Sequence, residues 1–148
     1  MRNLLLPPIV LVISAAAMLL LHRLWPLAVL LPTPWNAAGL PLVAAGLAVA
    51  SWHARLFRRI GTEINTFREP GQLVREGMFR FSRNPMYLGF AAALAGVALV
   101  LGSASPWLAW LTFVVLTDRW YIRVEEAAMQ ARFGDQYAAY RRAVRRWL

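Results

Sequence analysis

The sequence predicts an all-α integral membrane protein with about four transmembrane helices and a basic amphipathic helix at its carboxy-terminal end. Three observations predict it. The 148 residues are 59% hydrophobic and only 16% charged, against ~25% charged in an ordinary soluble domain. Apolar runs alternate with short polar segments along the whole chain. The arginines gather at the ends of those runs, as they do on a cytoplasmic membrane face. The spans fall at about residues 4–22, 37–54, 85–102 and 107–124, with a cytoplasmic helix over 135–148, all within one small domain covering 1–148.

The first run, residues 4–21, holds eighteen residues without a charge. At 1.5 Å per residue that is ~27 Å, close to the hydrocarbon thickness. Pro7 and Pro8 fall in its first turn, where a missing N–H costs nothing. His22, Arg23 and Trp25 mark the far interface. Arg2 alone precedes the run and Ala15-Ala16-Ala17 lies inside it, so a retained anchor is expected in place of a cleaved signal peptide.

Residues 25–36 contain three prolines and two tryptophans and no charge. Such a stretch is apolar yet cannot be a regular helix, and it reads as a re-entrant or interfacial connection. The second span is slim, with Gly39, Gly46 and several alanines that let a neighbouring helix approach closely. His53 closes it.

Residues 55–83 carry seven Arg against three Glu, which places the segment on the cytoplasmic side. Thr62-Glu63-Ile64-Asn65-Thr66-Phe67-Arg68 reads as an entry loop, followed by the turn pair Pro70-Gly71, and a solvated basic loop accounts for most of its charges. Pro85 suits a first helical turn, and Asn84 before it suits an N-cap. Arg83 then stands at a helix mouth, an arrangement that attracts anions. A plain juxtamembrane arginine cluster accounts for the same residues without a ligand.

Ser103-Ala104-Ser105-Pro106 forms the outer turn, and Trp107 and Trp110 anchor the fourth run. That run is only eleven residues long before Asp118-Arg119. Charges there are costly against lipid, so they should face a protein-lined space or pair with each other. The helix should continue unbroken into Glu125-Glu126. Asp118 and Glu125 are seven apart, as are Arg119 and Glu126, so each pair should share a face. The helix should stop near Gly134. Tyr137, Tyr140, Val144 and Leu148 then line one side of a helix whose arginines suit an anionic cytoplasmic leaflet.

There is no cysteine, and the two histidines are far apart, so a thiolate nucleophile and a metal site are not expected. All sixteen basic residues are arginine and the net charge is +9. Because the arginines flank apolar runs, a lipid partner is expected and nucleic acid is not.

Two polar blocks carry the chemistry. Arg83-Asn84-Pro85-Met86-Tyr87-Leu88-Gly89 opens the third span. Glu125-Glu126, followed by Phe133-Gly134-Asp135-Gln136-Tyr137-Ala138-Ala139-Tyr140-Arg141, succeeds the fourth. Together they resemble the isoprenylcysteine carboxyl methyltransferase family and its phospholipid methyltransferase relatives, over about residues 62–147. That family carries Arg-His-Pro-x-Tyr-x-Gly, then a hydrophobic helix, then Glu-Glu. Asn84 departs from the histidine; it can hydrogen-bond but cannot titrate near neutrality.

The resemblance implies an S-adenosylmethionine-dependent methyltransferase in the membrane. It implies a cofactor site at Arg83, Asn84, Pro85, Tyr87, Gly89, Glu125 and Glu126. Tyr137, Tyr140 and Arg141 have the chemistry to join them, since aromatic faces and carboxylates suit positive charge and arginine suits a carboxylate. Arg83, Asn84 and Glu125 are the candidate catalytic residues. The acceptor would be a lipophilic or small thiol, carboxylate or amine. Two other readings stay open: an NADPH-dependent membrane sterol-reductase-like enzyme, and a non-catalytic membrane accessory protein. The glutamates also have a plain reading, as partners for Arg119, Arg123 and Arg132. The arginine-only, alanine-rich composition suggests a prokaryotic genome and so an inner membrane, and the distribution of arginines over four spans puts both termini on the cytoplasmic side.

Overall fold

The computed structural model describes residues 6–59 and 73–148. Its elements are α1 (Pro7–Leu24), α2 (Gly39–Arg59), α3 (Pro85–Leu101), α4 (Pro106–Leu116) and α5 (Ile122–Ala143). Short 3₁₀ turns at Trp35–Ala38 and Gly77–Arg80 lead into α2 and α3, and a π-helical turn at Thr117–Tyr121 joins α4 to α5. Among the described residues there is no strand, only one antiparallel bridge between Val29 and Ser103. The loop expected over residues 62–68 and the Pro70-Gly71 turn lie outside the described residues.

Two stretches are long and apolar enough to cross a membrane, Pro7–Leu24 and Trp35–Arg59, and α3 is a shorter apolar helix. α2 runs past the expected boundary at His53 to Arg59. His53 is therefore buried inside the helix end, stacked on Phe57 at 4.2 Å between ring centroids. The fourth apolar helix gains length only by running on through the π turn into α5, as its unbroken backbone shows.

α2 and α3 form the tightest seam. Glycines face glycines across it: a Cβ on Gly46 would lie 2.4 Å from the Gly89 carbonyl oxygen, and one on Gly96 would lie 2.7 Å from that of Gly39. This is the close backbone approach that small residues permit. α1 packs against α4 and α3, and the Trp110 indole donates to the Ala91 carbonyl at 2.9 Å, tying α4 to α3.

At one end of the bundle, Gly102 closes α3 in the left-handed conformation (φ 72°). Its carbonyl accepts the N–H groups of Leu30 and Leu31 at 2.8 and 3.0 Å, which docks the proline-rich connection onto the turn between α3 and α4. His22 Nδ1 and Ser103 Oγ share a hydrogen bond of 2.7 Å there. As expected, residues 25–34 form no regular helix.

The carboxy-terminal helix is shorter than expected. It ends at Ala143, and Val144 turns extended (φ −127°, ψ 134°). The reason is competition for carbonyls: Arg83 Nη1 takes those of Arg141 and Val144 at 3.1 Å each, which a helix running to Leu148 would use for its own N–H groups, while Arg83 N–H and Asn84 Nδ2 hold the Arg145 and Arg146 carbonyls at 3.0 and 2.9 Å. Gly134 (φ 48°, ψ −121°) kinks the helix where a stop was expected. Tyr137 and Tyr140 point into the protein, at 3% and 6% exposure, and so do not face the bilayer surface.

Candidate active site

The amino-terminal ends of α3 and α5 meet where the two polar blocks come together. Asn84 is the N-cap of α3 and Pro85 its first residue, as the sequence predicts, but the Asn84 side chain makes no capping bond. It reaches instead to the carboxy-terminal tail, and the Asn84 N–H is taken by Ser82 Oγ at 3.1 Å.

Arg83 is buried, its side chain 9% exposed. Its Nη2 lies 2.7 Å from Glu126 Oε1. Its Nη1 donates to the carbonyls of Arg141 and Val144, both at 3.1 Å. A cation at those carbonyls complements the negative end of α5. Nε is buried and has no partner among the described residues. Part of the arginine is therefore a helix cap, and one orphaned donor remains that a ligand's oxygen would satisfy.

Glu125 and Glu126 take different partners. Tyr87, 2% exposed, donates its hydroxyl to Glu125 Oε1 at 2.7 Å. Glu126 is shared by Arg83 and Arg146, with Arg146 Nη2 at 2.6 Å from Oε2 and Nε at 3.2 Å from Oε1. Two guanidiniums share the one Glu126 carboxylate, whereas Glu125 accepts from the Tyr87 hydroxyl. Tyr87 and Tyr121 lie 6.3 Å apart between ring centroids.

Tyr137 and Tyr140 stand beside this cluster. The Tyr140 hydroxyl donates to the Phe79 carbonyl at 2.7 Å, and the Arg75 guanidinium lies 5.9 Å from its ring centroid. Burial pushes both phenols up to about 12. For Tyr137 the Glu126 charge adds to this, while Arg83, Arg141 and Arg146 oppose it. Both tyrosines stay neutral donors at physiological pH. An open depression of about 550 Å³ adjoins them, lined by Leu73, Arg75, Asp135, Gln136 and Ala139.

The structure thus gathers Arg83, Asn84, Tyr87, Glu125, Glu126, Tyr137 and Tyr140 at one end of the bundle. Arg141 contributes its carbonyl, and its side chain is exposed. Pro85 is buried in the first turn of α3. Gly89 lies elsewhere, in the α2–α3 seam against Gly46. Asp118 does pair with Arg119, at 3.8 Å, as the sequence suggests, but sequence reasoning missed its nearer partners, Arg146 and Trp147. Arg146 Nη1 contacts both Asp118 oxygens at 3.2 and 3.3 Å, and the Trp147 indole donates to Oδ1 at 2.9 Å. Asp118 shares Arg146 with Glu126, eight residues on, not with Glu125 at seven. The π turn supplies the reason, because its i→i+5 bonding delays the helical register by about one residue. No seven-residue spacing in the sequence signals it.

Among the described residues, no group of acidic and histidine side chains could hold a metal ion. The chain matches the phospholipid methyltransferase family over residues 35–136. It is also similar to an uncharacterized protein of Haemophilus influenzae, 36% identical over 63 residues, which are 43% of this chain and the whole of that protein. No solved structure matches it significantly. With more than half of its length matched, including both polar blocks up to Gln136, the chain belongs to the phospholipid methyltransferase family.

Proposed function

We propose that the protein is an S-adenosylmethionine-dependent methyltransferase of the membrane, with its donor site at the inner ends of α3 and α5. One observation carries this reading. In a methyltransferase family member, Tyr87–Glu125 and Arg83–Glu126 contacts of 2.7 Å each join two blocks that are 38 and 43 positions apart. The residues fit the donor by their chemistry. S-adenosylmethionine supplies a methyl group on a positively charged sulfur, for in-line displacement by a nucleophile.

The protein's part in such a reaction is positioning and exclusion of water. Glu125, aimed by the Tyr87 hydroxyl, is suited to an ammonium or a ribose hydroxyl. The rings of Tyr87 and Tyr137 suit a cationic sulfur. The orphaned Nε of Arg83 suits a carboxylate. Asn84 can orient but not take a proton; a carboxylate acceptor carries none, and the proton of a thiol or amine must pass to solvent or to a carboxylate such as Glu125.

The acceptor in this reading is lipophilic or small: a thiol, a carboxylate or an amine. The protein is multi-pass, with four spans, both termini cytoplasmic, in a prokaryotic inner membrane. Exposed apolar side chains on α1 and α4, such as Val12 (66%), Leu20 (58%), Leu111 (53%) and Val115 (50%), support a lipid-facing exterior. Calorimetry of the purified protein with S-adenosylmethionine and NADPH side by side tests the proposal. Saturable binding of the methyl donor at roughly 1 μM–1 mM, the usual range for small substrates, is expected. Binding of NADPH alone would point to a reductase, and binding of neither to an accessory protein.

A further inference from the structure

The run from Pro106 to Thr117 is uncharged, and the π turn that follows it brings Asp118 to the inner end of the span. π turns are rare and sit mostly at functional positions. Asp118 faces three groups: the Arg146 guanidinium, the Trp147 indole and, at 3.8 Å, Arg119 Nε. Arg146 reaches from Asp118 to Glu126, so one guanidinium clamps two carboxylates of the same continuous helix. The backbone of the tail is fastened as well. The Arg145 carbonyl accepts from Arg83 N–H, and the Arg146 carbonyl accepts from Asn84 Nδ2 and, at 3.4 Å, Ser82 Oγ. The tail, residues 144–147, thereby lies across the corner formed by Arg83 and Asn84. Arg146 and Trp147 lie beyond the residues that the family match covers.

We propose that Asp118 is a positioning residue: acting through Arg146, it pins the carboxy-terminal tail onto the Arg83–Asn84 corner and so holds Glu126 and Arg83 in place for the methyl donor. The second half of this rests on the methyltransferase reading; the pin itself does not. Without Asp118 the Trp147 indole loses its acceptor and the Nη1 of Arg146 loses its carboxylate. Among the described residues the tail then keeps Glu126 as its one carboxylate anchor, and Glu126 is the group that orients Arg83.

The test uses the full chain in detergent, with Asp118→Asn, Arg146→Met, the double variant, and the conservative variants Asp118→Glu and Arg146→Lys. Limited trypsin cleavage, read by intact mass, reports release of the tail in wild type and Asp118→Asn. Calorimetry reports affinity for S-adenosylmethionine. The expected result is faster loss of the tail from Asp118→Asn, and donor affinity about tenfold to a hundredfold weaker in both Asp118→Asn and Arg146→Met. The double variant should be no worse than the weaker single variant, since both remove one contact. Asp118→Glu keeps the charge and should recover most of the affinity, which a general loss of packing would not predict; Arg146→Lys, with a single ammonium for two carboxylates, should recover only part of it. A tail as protected in Asp118→Asn as in wild type overturns the pin. Wild-type affinity in a variant whose tail is released overturns its role in positioning. If the wild type binds no methyl donor, the methyltransferase reading falls, and the cleavage result alone decides the pin.

Discussion

Arg83 Nη2 lies 2.7 Å from Glu126 Oε1, in a pair whose side chains are 9% and 10% exposed. The neighbouring carboxylate, Glu125, is bonded by the Tyr87 hydroxyl instead. Adjacent helical residues point ~100° apart, and here that rotation separates a buried ion-pair hub from a carboxylate on the aromatic side.

The two glutamates should therefore fail differently. Glu126→Gln leaves two guanidiniums short of a charge and should cost about 3–5 kcal/mol of stability, the range for breaking a buried pair. Glu125→Gln should change stability far less and weaken S-adenosylmethionine binding by about tenfold to a hundredfold. Denaturation midpoints and calorimetry of both variants in one detergent make the comparison. Loss of binding confined to Glu126→Gln, with Glu125→Gln indistinguishable from wild type, would reverse the assignment.

Tyr87→Phe keeps the aromatic wall and removes the hydroxyl that aims Glu125. Its affinity for the methyl donor should fall roughly tenfold, since a hydrogen bond to a charged group contributes about 1.5–3 kcal/mol. Tyr87→Ala should fall further, because the wall goes too. Equal affinities for the two variants would mean that the ring contributes nothing.

The α2–α3 seam offers a test of the fold. A Cβ on Gly46 would meet the Ala93 nitrogen and the Gly89 oxygen at 2.4 Å each, and backbone atoms cannot rotate away. Gly46→Ala should destabilise by about 1–3 kcal/mol, the usual cost of overpacking, despite alanine's better helix propensity. A melting temperature at or above wild type would show that the helices are further apart than described.

Tyr137 and Tyr140 make stability depend on alkaline pH. Burial raises both phenols to about 12 in the fold, against ~10 in the unfolded chain. Above about pH 10 the unfolded state binds fewer protons than the folded one, so stability falls as pH rises from 10 toward 12. Their contribution is fully present below pH 10. Melting temperature measured from pH 8 to 12 should decline in that window, and less steeply in Tyr137→Phe.

Much of this arrangement is legible in the sequence because it is local. Asn84-Pro85 starts a helix through proline's fixed φ and missing N–H, and α3 begins there. Residues 25–36 exclude a regular helix for the same reason. The pairing of Arg83 with the Glu125-Glu126 block is legible only through the spacing of a family motif, since 43 positions separate the partners. Three features are not legible. The π turn leaves no mark in composition, so helical spacing puts Asp118 on a face with Glu125, seven on, whereas it shares Arg146 with Glu126, eight on. The tail reads as amphipathic helix by spacing, but tertiary hydrogen bonds to its carbonyls override the local preference after Ala143. Arg146 looks like any other arginine of a basic surface until Asp118 and Glu126 are placed on either side of it.

Topology can be checked with cysteines at Thr33 and Gln136, both exposed and at opposite ends of the bundle. The chain has no cysteine of its own, so the labels are unambiguous. In intact cells a membrane-impermeant maleimide should label the Thr33 site, and should reach the Gln136 site only after lysis. The opposite pattern would invert the orientation.

Direct ultraviolet photolabelling with methyl-labelled S-adenosylmethionine, followed by peptide mapping, tests the central claim most directly. The label should be saturable, should be displaced by the unlabelled donor, and should fall in peptides containing Tyr87, Glu125 or Tyr137. Saturable labelling confined to the other end of the bundle, around His22 and Ser103, or no saturable labelling at all, would contradict a methyl-donor site at the inner ends of α3 and α5.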